Sequence, residues 1–259
     1  MKVKTKTQNN DWIETLNNIE NIISKEHIDN LSKETLCRAK RILKNKKAIL
    51  SFSAGKDSIV LEHLLRPLGL ASIMAYCYLE YPEFISWVKM NKPQNCELIN
   101  SGQDLEWLSK NQEMLFPDNS KKASRWYDIV QHKVQNKYVK ENNIECLVLG
   151  RRNADGNNCG QEGSYMKGNC LIYNPLYNWS HEEILAYLHY NKLELPPIYK
   201  YPNGYKQGTH NWASYRLYDG ETIKDALDRL YKIDKNIIIQ AKDYIPEIRS
   251  YYENYKNEN

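Results

Sequence analysis

Residues 48–65 read AILSFSAGKDSIVLEHLL, and no other stretch restricts the fold as much. A short apolar run rich in strand-forming residues passes through four small or flexible positions into apolar residues at helical spacing. Such a run folds as a strand, a tight loop and a helix. The chemistry of the loop is equally legible. Ser53, Ala54 and Gly55 are small enough for backbone N–H groups to approach an anion closely. The helix that follows adds unpaired amides and partial positive charge. Lys56 can neutralise phosphate oxygens, and the Ser53 and Ser58 hydroxyls can donate to them. Ser51, Ser53, Ala54, Gly55, Lys56, Asp57 and Ser58 are therefore the candidate residues for holding a polyphosphate. A Cβ at position 54 would clash at positive φ, so a negative φ is expected there. The run is not a Walker A loop, because Asp57 follows the lysine where Ser or Thr would stand.

Short apolar segments alternate with helical ones after this point. Strands are expected at 48–52, 71–78, 96–100 and 144–149, and helices at 58–65, 82–90 and 124–142. Trp126, Val130, Val134 and Tyr138 recur every four residues, a core stripe. Strands joined by helical crossovers imply an α/β fold, a doubly wound parallel sheet whose ligands sit at the strands' carboxyl ends. The first 45 residues read as a helical extension, with Ile13, Leu16, Ile19, Ile22 and Ile23 in register. Ser180 and Glu183 have capping-box spacing ahead of Ile184, Leu185 and Leu188. Residues 196–218 have no period and read as loop, while 225–255 are helical with an interruption at Pro246. The expected organisation is an extension at 1–45, a nucleotide-binding domain at 46–218 and a helical segment at 219–259.

Composition removes several classes of function. Of 259 residues, 41% are hydrophobic and 26% charged, which excludes large-scale disorder. The sequence has no apolar leader and no run of about 18 apolar residues, so a cytoplasmic protein without membrane attachment is expected. Six cysteines without a CxxC pair give neither a zinc knuckle nor a disulfide framework. A net charge of +4 is too small to argue for nucleic acid. Basic residues do cluster, with Arg38, Lys40, Arg41, Lys44, Lys46 and Lys47 before the loop and Lys121, Lys122 and Arg125 later, and solvated helix faces explain them most simply.

The run SFSAGKDS resembles the SGGKDS signature of the PP-loop ATP pyrophosphatases, with Ala54 replacing a glycine. Three further segments resemble the phosphoadenosine phosphosulfate reductase group within that superfamily. They are Leu79-Glu80-Tyr81-Pro82-Glu83, Gly150-Arg151-Arg152, and Asn174-Pro175-Leu176-Tyr177-Asn178-Trp179-Ser180. The resemblance implies a Rossmann-like adenine nucleotide alpha-hydrolase fold. It also implies ATP and Mg²⁺ as cofactors, and cleavage of ATP between its α- and β-phosphates to adenylate an acceptor, in sulfur transfer or nucleic-acid modification. On it, Lys56, Arg151 and Arg152 are the expected catalytic residues, and Glu80 a nucleotide or Mg²⁺ contact.

The group's C-terminal Glu-Cys-Gly-x-His element is not matched, since no cysteine follows Cys170, and the reductase reaction itself is not expected. A nucleotide-binding subunit or sensor without catalysis of its own is the alternative. Cys159 is a candidate sulfur carrier if it lies exposed beside the two arginines. The segment from Tyr199 to Tyr218 alternates aromatic and basic residues and suits either a lid over the nucleotide or a base-stacking surface, with His210 as a candidate acid or base. The expected partners are an adenine nucleotide, an undetermined acceptor, nucleic acid as one option, and a second copy or a partner subunit.

Overall fold

The computed structural model describes residues 8–117, 120–211, 215–218 and 220–258. In chain order the elements are α1 (Asn9–Asn17), α2 (Ile19–Ile22), α3 (Lys25–Leu43), β1 (Ala48–Ser51), α4 (Lys56–Leu65), β2 (Ala71–Tyr76), α5 (Pro82–Asn91), β3 (Cys96–Asn100), α6 (Leu105–Lys110), α7 (Ser120–Trp126), α8 (Lys133–Glu141), β4 (Cys146–Val148), β5 (Ser164–Lys167), β6 (Cys170–Tyr173), α9 (His181–Tyr190), α10 (Gly204–Gln207), α11 (Ile223–Ile233), α12 (Lys235–Ala241) and α13 (Pro246–Glu258). The expected α/β class is what forms. The sheet is six-stranded and flanked by helices, in the order β3-β2-β1-β4-β6-β5. Pairing is parallel from β2 through β1 and β4 to β6, and β5 runs antiparallel on the edge.

The order reverses at β1, whose register pairs Ile49 with Ala71 on one side and Leu147 on the other. The carboxyl ends of β1 and β4 thus diverge at a topological switch point, where a doubly wound sheet leaves its crevice.

The chain divides into two compact units, the first comprising residues 1–74, 86–98 and 135–209. Its core is Ile49 and Leu50 of β1 with Val60, Leu61 and Leu65 of α4, Val148 of β4 and Ile184, Leu185 and Ala186 of α9, all essentially inaccessible. The capping box at α9 forms as its spacing requires: Ser180 Oγ accepts from the Glu183 amide at 3.1 Å, and Glu183 accepts from the Ser180 amide at 2.7 Å. The run 174–179 works as a dock for α3. Trp179 Nε1 donates to Thr35 Oγ1 at 3.1 Å, Arg38 donates to the Pro175 carbonyl at 3.1 Å, and its guanidinium lies over the Tyr177 ring. Arg38, counted above among the basic residues, is thus partly committed to packing.

The hairpin β5–β6 was not among the expected strands. Its two-residue turn is Gly168-Asn169, with Gly168 at φ +60°, a backbone that a side chain strains. Residues 196–209, expected as loop, contain short helical turns at Pro197–Lys200 and Gly204–Gln207.

The second unit comprises 75–85, 99–134 and 210–259. Of the expected core stripe, Trp126 and Val130 are buried, whereas Val134 and Tyr138 are only half-buried and Gln135 is buried instead; Trp126 Nε1 donates to the Met114 carbonyl at 3.1 Å. The helix expected at 124–142 is interrupted by a π-helical stretch at Tyr127–His132. Arg229 of α11 is buried. It makes a forked pair with Glu221 at 2.8 and 2.9 Å and lies 3.7 Å from the centre of the Tyr218 ring. Glu80 is also buried, its Oε2 without a partner, and burial pushes its carboxyl well above the usual range.

No helix among the described residues is long and apolar enough to cross a membrane.

Candidate functional site

β1 ends at Ser51, and the chain turns through Phe52–Gly55 to start α4 at Lys56. Gly55 is the N-cap in extended conformation and offers no side chain to cap the helix, so the first-turn amides are left for another acceptor. Ser58 staples the turn from within. Its Oγ accepts from the Ser53 amide at 3.2 Å and donates to the Gly55 carbonyl at 3.0 Å. Ser53 Oγ donates to Ser58 Oγ at 3.2 Å. The Ser51 hydroxyl is buried and accepts from Gln135 Nε2 at 2.7 Å. Ser51 and Ser58 therefore shape the loop from inside rather than facing an anion.

Ala54 has φ +53° and is fully buried. The negative φ expected from its Cβ is not what forms: the loop keeps the left-handed turn that a glycine would make easily, and the alanine carries a strain of about 1–2 kcal/mol. Gly55 is also constrained, because a Cβ there would stand 2.8 Å from Thr209 Oγ1.

The β4 end comes close to this helix start. A Cβ on Gly150 would lie 3.3–3.4 Å from the Asp57 and Ser58 backbone. Arg152, two residues on, is completely buried. Its Nε lies 2.8 Å from Asp57 Oδ1, off the line of an aligned hydrogen bond, so the contact is an ion pair. Its other nitrogens donate to Asp155 Oδ1 at 3.0 Å, the Trp179 carbonyl at 3.2 Å and His181 Nδ1 at 3.2 Å. Arg152, expected as a catalytic residue beside Arg151, thus has its charge absorbed by protein groups. Arg151 is half-buried, and it donates to the Tyr165 hydroxyl at 3.4 Å.

Burial alone would raise the Asp57 carboxyl, but Arg152 and Lys56 outweigh it and hold the group well below the usual carboxylate range. Lys56 Nζ pairs with Asp57 Oδ2 at 2.8 Å and lies 4.8 Å from the centre of the Trp12 ring. His181 is lowered to about 4, first by burial and then by the Arg152 and Lys56 charges. It is neutral at pH 7, with Nδ1 accepting from Arg152, so its 3.8 Å approach to Asp155 is not an ion pair. The Lys56 amide at the start of α4 donates to the buried Tyr199 hydroxyl at 2.8 Å.

Trp12, His181, Gln135 and Thr209 were not singled out by sequence, and Tyr199 only as one aromatic in a lid. Of these, His181 alone had a nearby signal, the capping box that fixes the start of α9. Cys159 lies buried, and burial pushes its thiol up to about 11, which corrects the expectation of an exposed, activated cysteine. The side chain of His210 and all of Trp212 lie outside the described residues. Among the described residues no three His, Cys, Asp or Glu side chains gather closely enough to hold a metal ion.

A family model described as the phosphoadenosine phosphosulfate reductase domain matches residues 47–207, well over half of the chain. The chain belongs to this family. Family membership places it in the PP-loop adenine nucleotide alpha-hydrolase-like superfamily of nucleotide-binding proteins. The matched range holds the loop, the Gly150–Arg152 element, the Asn174–Trp179 dock and Tyr199, and leaves out Trp12. Among solved structures, the chain is similar to phosphoadenylyl-sulfate (PAPS) reductase from Candida auris in a phosphate complex, at 16% identity over 69% of this chain and 92% of that one, with a TM-score of 0.49. It is also similar to NMN synthetase from Francisella tularensis, at 14% identity over 81% and 93%, with a TM-score of 0.44. No curated protein matches the sequence.

Proposed function

We propose that this family member binds ATP over residues 51–58 and transfers its adenylyl group to an acceptor oxygen, releasing pyrophosphate. The observation that carries this reading is the start of α4 at the switch point. There, a helix start that its N-cap glycine leaves without a side-chain cap, a lysine and the β4 end converge. The acceptor oxygen would form a bond to the α-phosphorus as the bond to pyrophosphate breaks, the leaving group taking the electron pair.

In this scheme Lys56 and Arg151 offset the charge that develops on the phosphoryl oxygens. Arg152 is a positioning residue that acts through Asp57, fixing the α4 start without touching the nucleotide. Mg²⁺ suits this arrangement as an ion carried by the phosphates and water, where it would neutralise their charge.

The test is incubation with ATP labelled at the α-phosphate, Mg²⁺ and a panel of acceptors, following pyrophosphate and labelled product. Wild-type protein is expected to release pyrophosphate, and Lys56→Ala to lose at least a hundredfold of that rate. Unchanged release in Lys56→Ala overturns the assignment. Tight ATP binding with no turnover for any acceptor would leave a nucleotide-binding subunit in its place.

A further inference from the structure

The lysine of the loop is held by an aromatic residue that lies outside the family domain. Lys56 is almost enclosed, its side chain 11% exposed. One side of its ammonium meets Asp57 Oδ2 at 2.8 Å, and another faces the Trp12 ring, 4.8 Å from the centre. Trp12 is itself buried, 5% exposed, and its ring is braced edge-on by His181 at 4.6 Å between centroids. His181 is the partner of Arg152, so the brace belongs to the same cluster that holds Asp57. The helix that carries Trp12 is pinned independently, because Asn9 Oδ1 accepts from the Tyr205 and Lys206 amides at 2.8 and 3.2 Å.

We propose that Trp12 is a positioning residue for Lys56. With the Asp57 carboxylate and the indole face each taking one ammonium N–H, the third is directed to an incoming phosphate. The indole face attracts the cation without neutralising it, unlike a second carboxylate, so the charge stays available to the anion. A lysine on four rotatable bonds would otherwise lose that freedom on binding, at the expense of affinity. The N-terminal helix thereby sets how tightly the loop holds a polyphosphate. This inference rests on the reading of residues 51–58 as a polyphosphate site.

The test uses the full chain and two probes, inorganic pyrophosphate and ATP, titrated by calorimetry. Trp12→Leu, which removes the π face, is expected to weaken pyrophosphate binding about tenfold. Trp12→Phe, which keeps a weaker face, should weaken it about threefold and so rescue part of the loss. Asn9→Ala loosens the helix that carries Trp12 but keeps the indole, and should weaken binding by less than Trp12→Leu does. In turnover, Trp12→Leu should raise KM and leave kcat within twofold. With 5-fluorotryptophan incorporated, the resonance missing from Trp12→Phe should shift when pyrophosphate is added to wild type.

Affinity within twofold of wild type in Trp12→Leu, or no rescue by phenylalanine, overturns the proposal, as does a wild type that binds no pyrophosphate. A wild type that binds pyrophosphate but not ATP overturns the ATP reading alone.

Discussion

Replacing Arg152 by methionine is the perturbation whose size the structure defines best. The guanidinium has no exposure and faces two carboxylates, Asp57 at 2.8 Å and Asp155 at 3.0 Å, each no more than about a quarter exposed. Methionine fills similar volume but takes the guanidinium from both acids, leaving Asp57 with Lys56 alone, and leaves the Trp179 carbonyl without its donor. Removing one partner of a buried pair costs about 3–5 kcal/mol. For a chain of this length that is a fall in Tm of about 6–20 °C. The pH dependence follows from Asp57, whose folded pKa lies below its unfolded value, so its stabilisation is present above about pH 4 and is lost as the pH falls further. Without Arg152 the folded pKa of Asp57 moves up. The gap between variant and wild type is therefore widest at neutral pH and narrows as acid protonates Asp57 in the variant first. Thermal melts of both proteins at pH 7 and pH 4, in matched salt, measure this. A fall of less than 1 kcal/mol, or a gap as wide at pH 4 as at pH 7, would refute the account of Arg152 as the clamp on Asp57.

Three further outcomes are expected. Ala54→Gly relieves the left-handed strain at φ +53° and should raise Tm by about 2–4 °C, corresponding to about 1 kcal/mol, in differential scanning calorimetry. Tyr199→Phe removes the acceptor of the Lys56 amide and should destabilise the unliganded protein by about 1 kcal/mol. That loss should shrink when saturating pyrophosphate supplies an acceptor, as a thermal-shift titration would show. A thiol reagent at pH 7.5 should label one cysteine of the native protein quickly, since Cys37 alone is exposed while burial keeps Cys159 protonated. Mass spectrometry locates the label.

The strand, loop and helix at 48–65 were legible because each level of the sequence agrees there: apolar run, small residues, then helical period. The capping box at Ser180 was legible for the same reason. The hairpin at 164–173 was not, although Gly168-Asn169 between two short runs is a turn signal. It is flanked by asparagine and glycine on one side and a proline-bearing segment on the other, so neither short run stands out as a strand. The Arg pair was visible as charge at a strand end, but charge does not announce its partner: Asp57 and His181 capture Arg152 from 95 and 29 positions away. Ala54 failed for the opposite reason. The steric rule was sound, yet Ser58 and the packing around the turn hold the residue in the conformation that the rule disfavours. Trp12 showed nothing in the sequence beyond an apolar place on a short helix.

The strand order has a consequence for how the chain is made. β1 sits between β2, which follows it by about twenty residues, and β4, which begins only at Cys146. During synthesis at about 5–20 residues per second, one edge of β1 waits roughly 5–20 s for its partner. Until then the sheet presents the bare edge of Ala48–Ser51, an apolar strand that no charged residue interrupts. The lysine-rich stretch just before it, Lys44, Lys46 and Lys47, stands where a gatekeeper against edge-to-edge association would be needed.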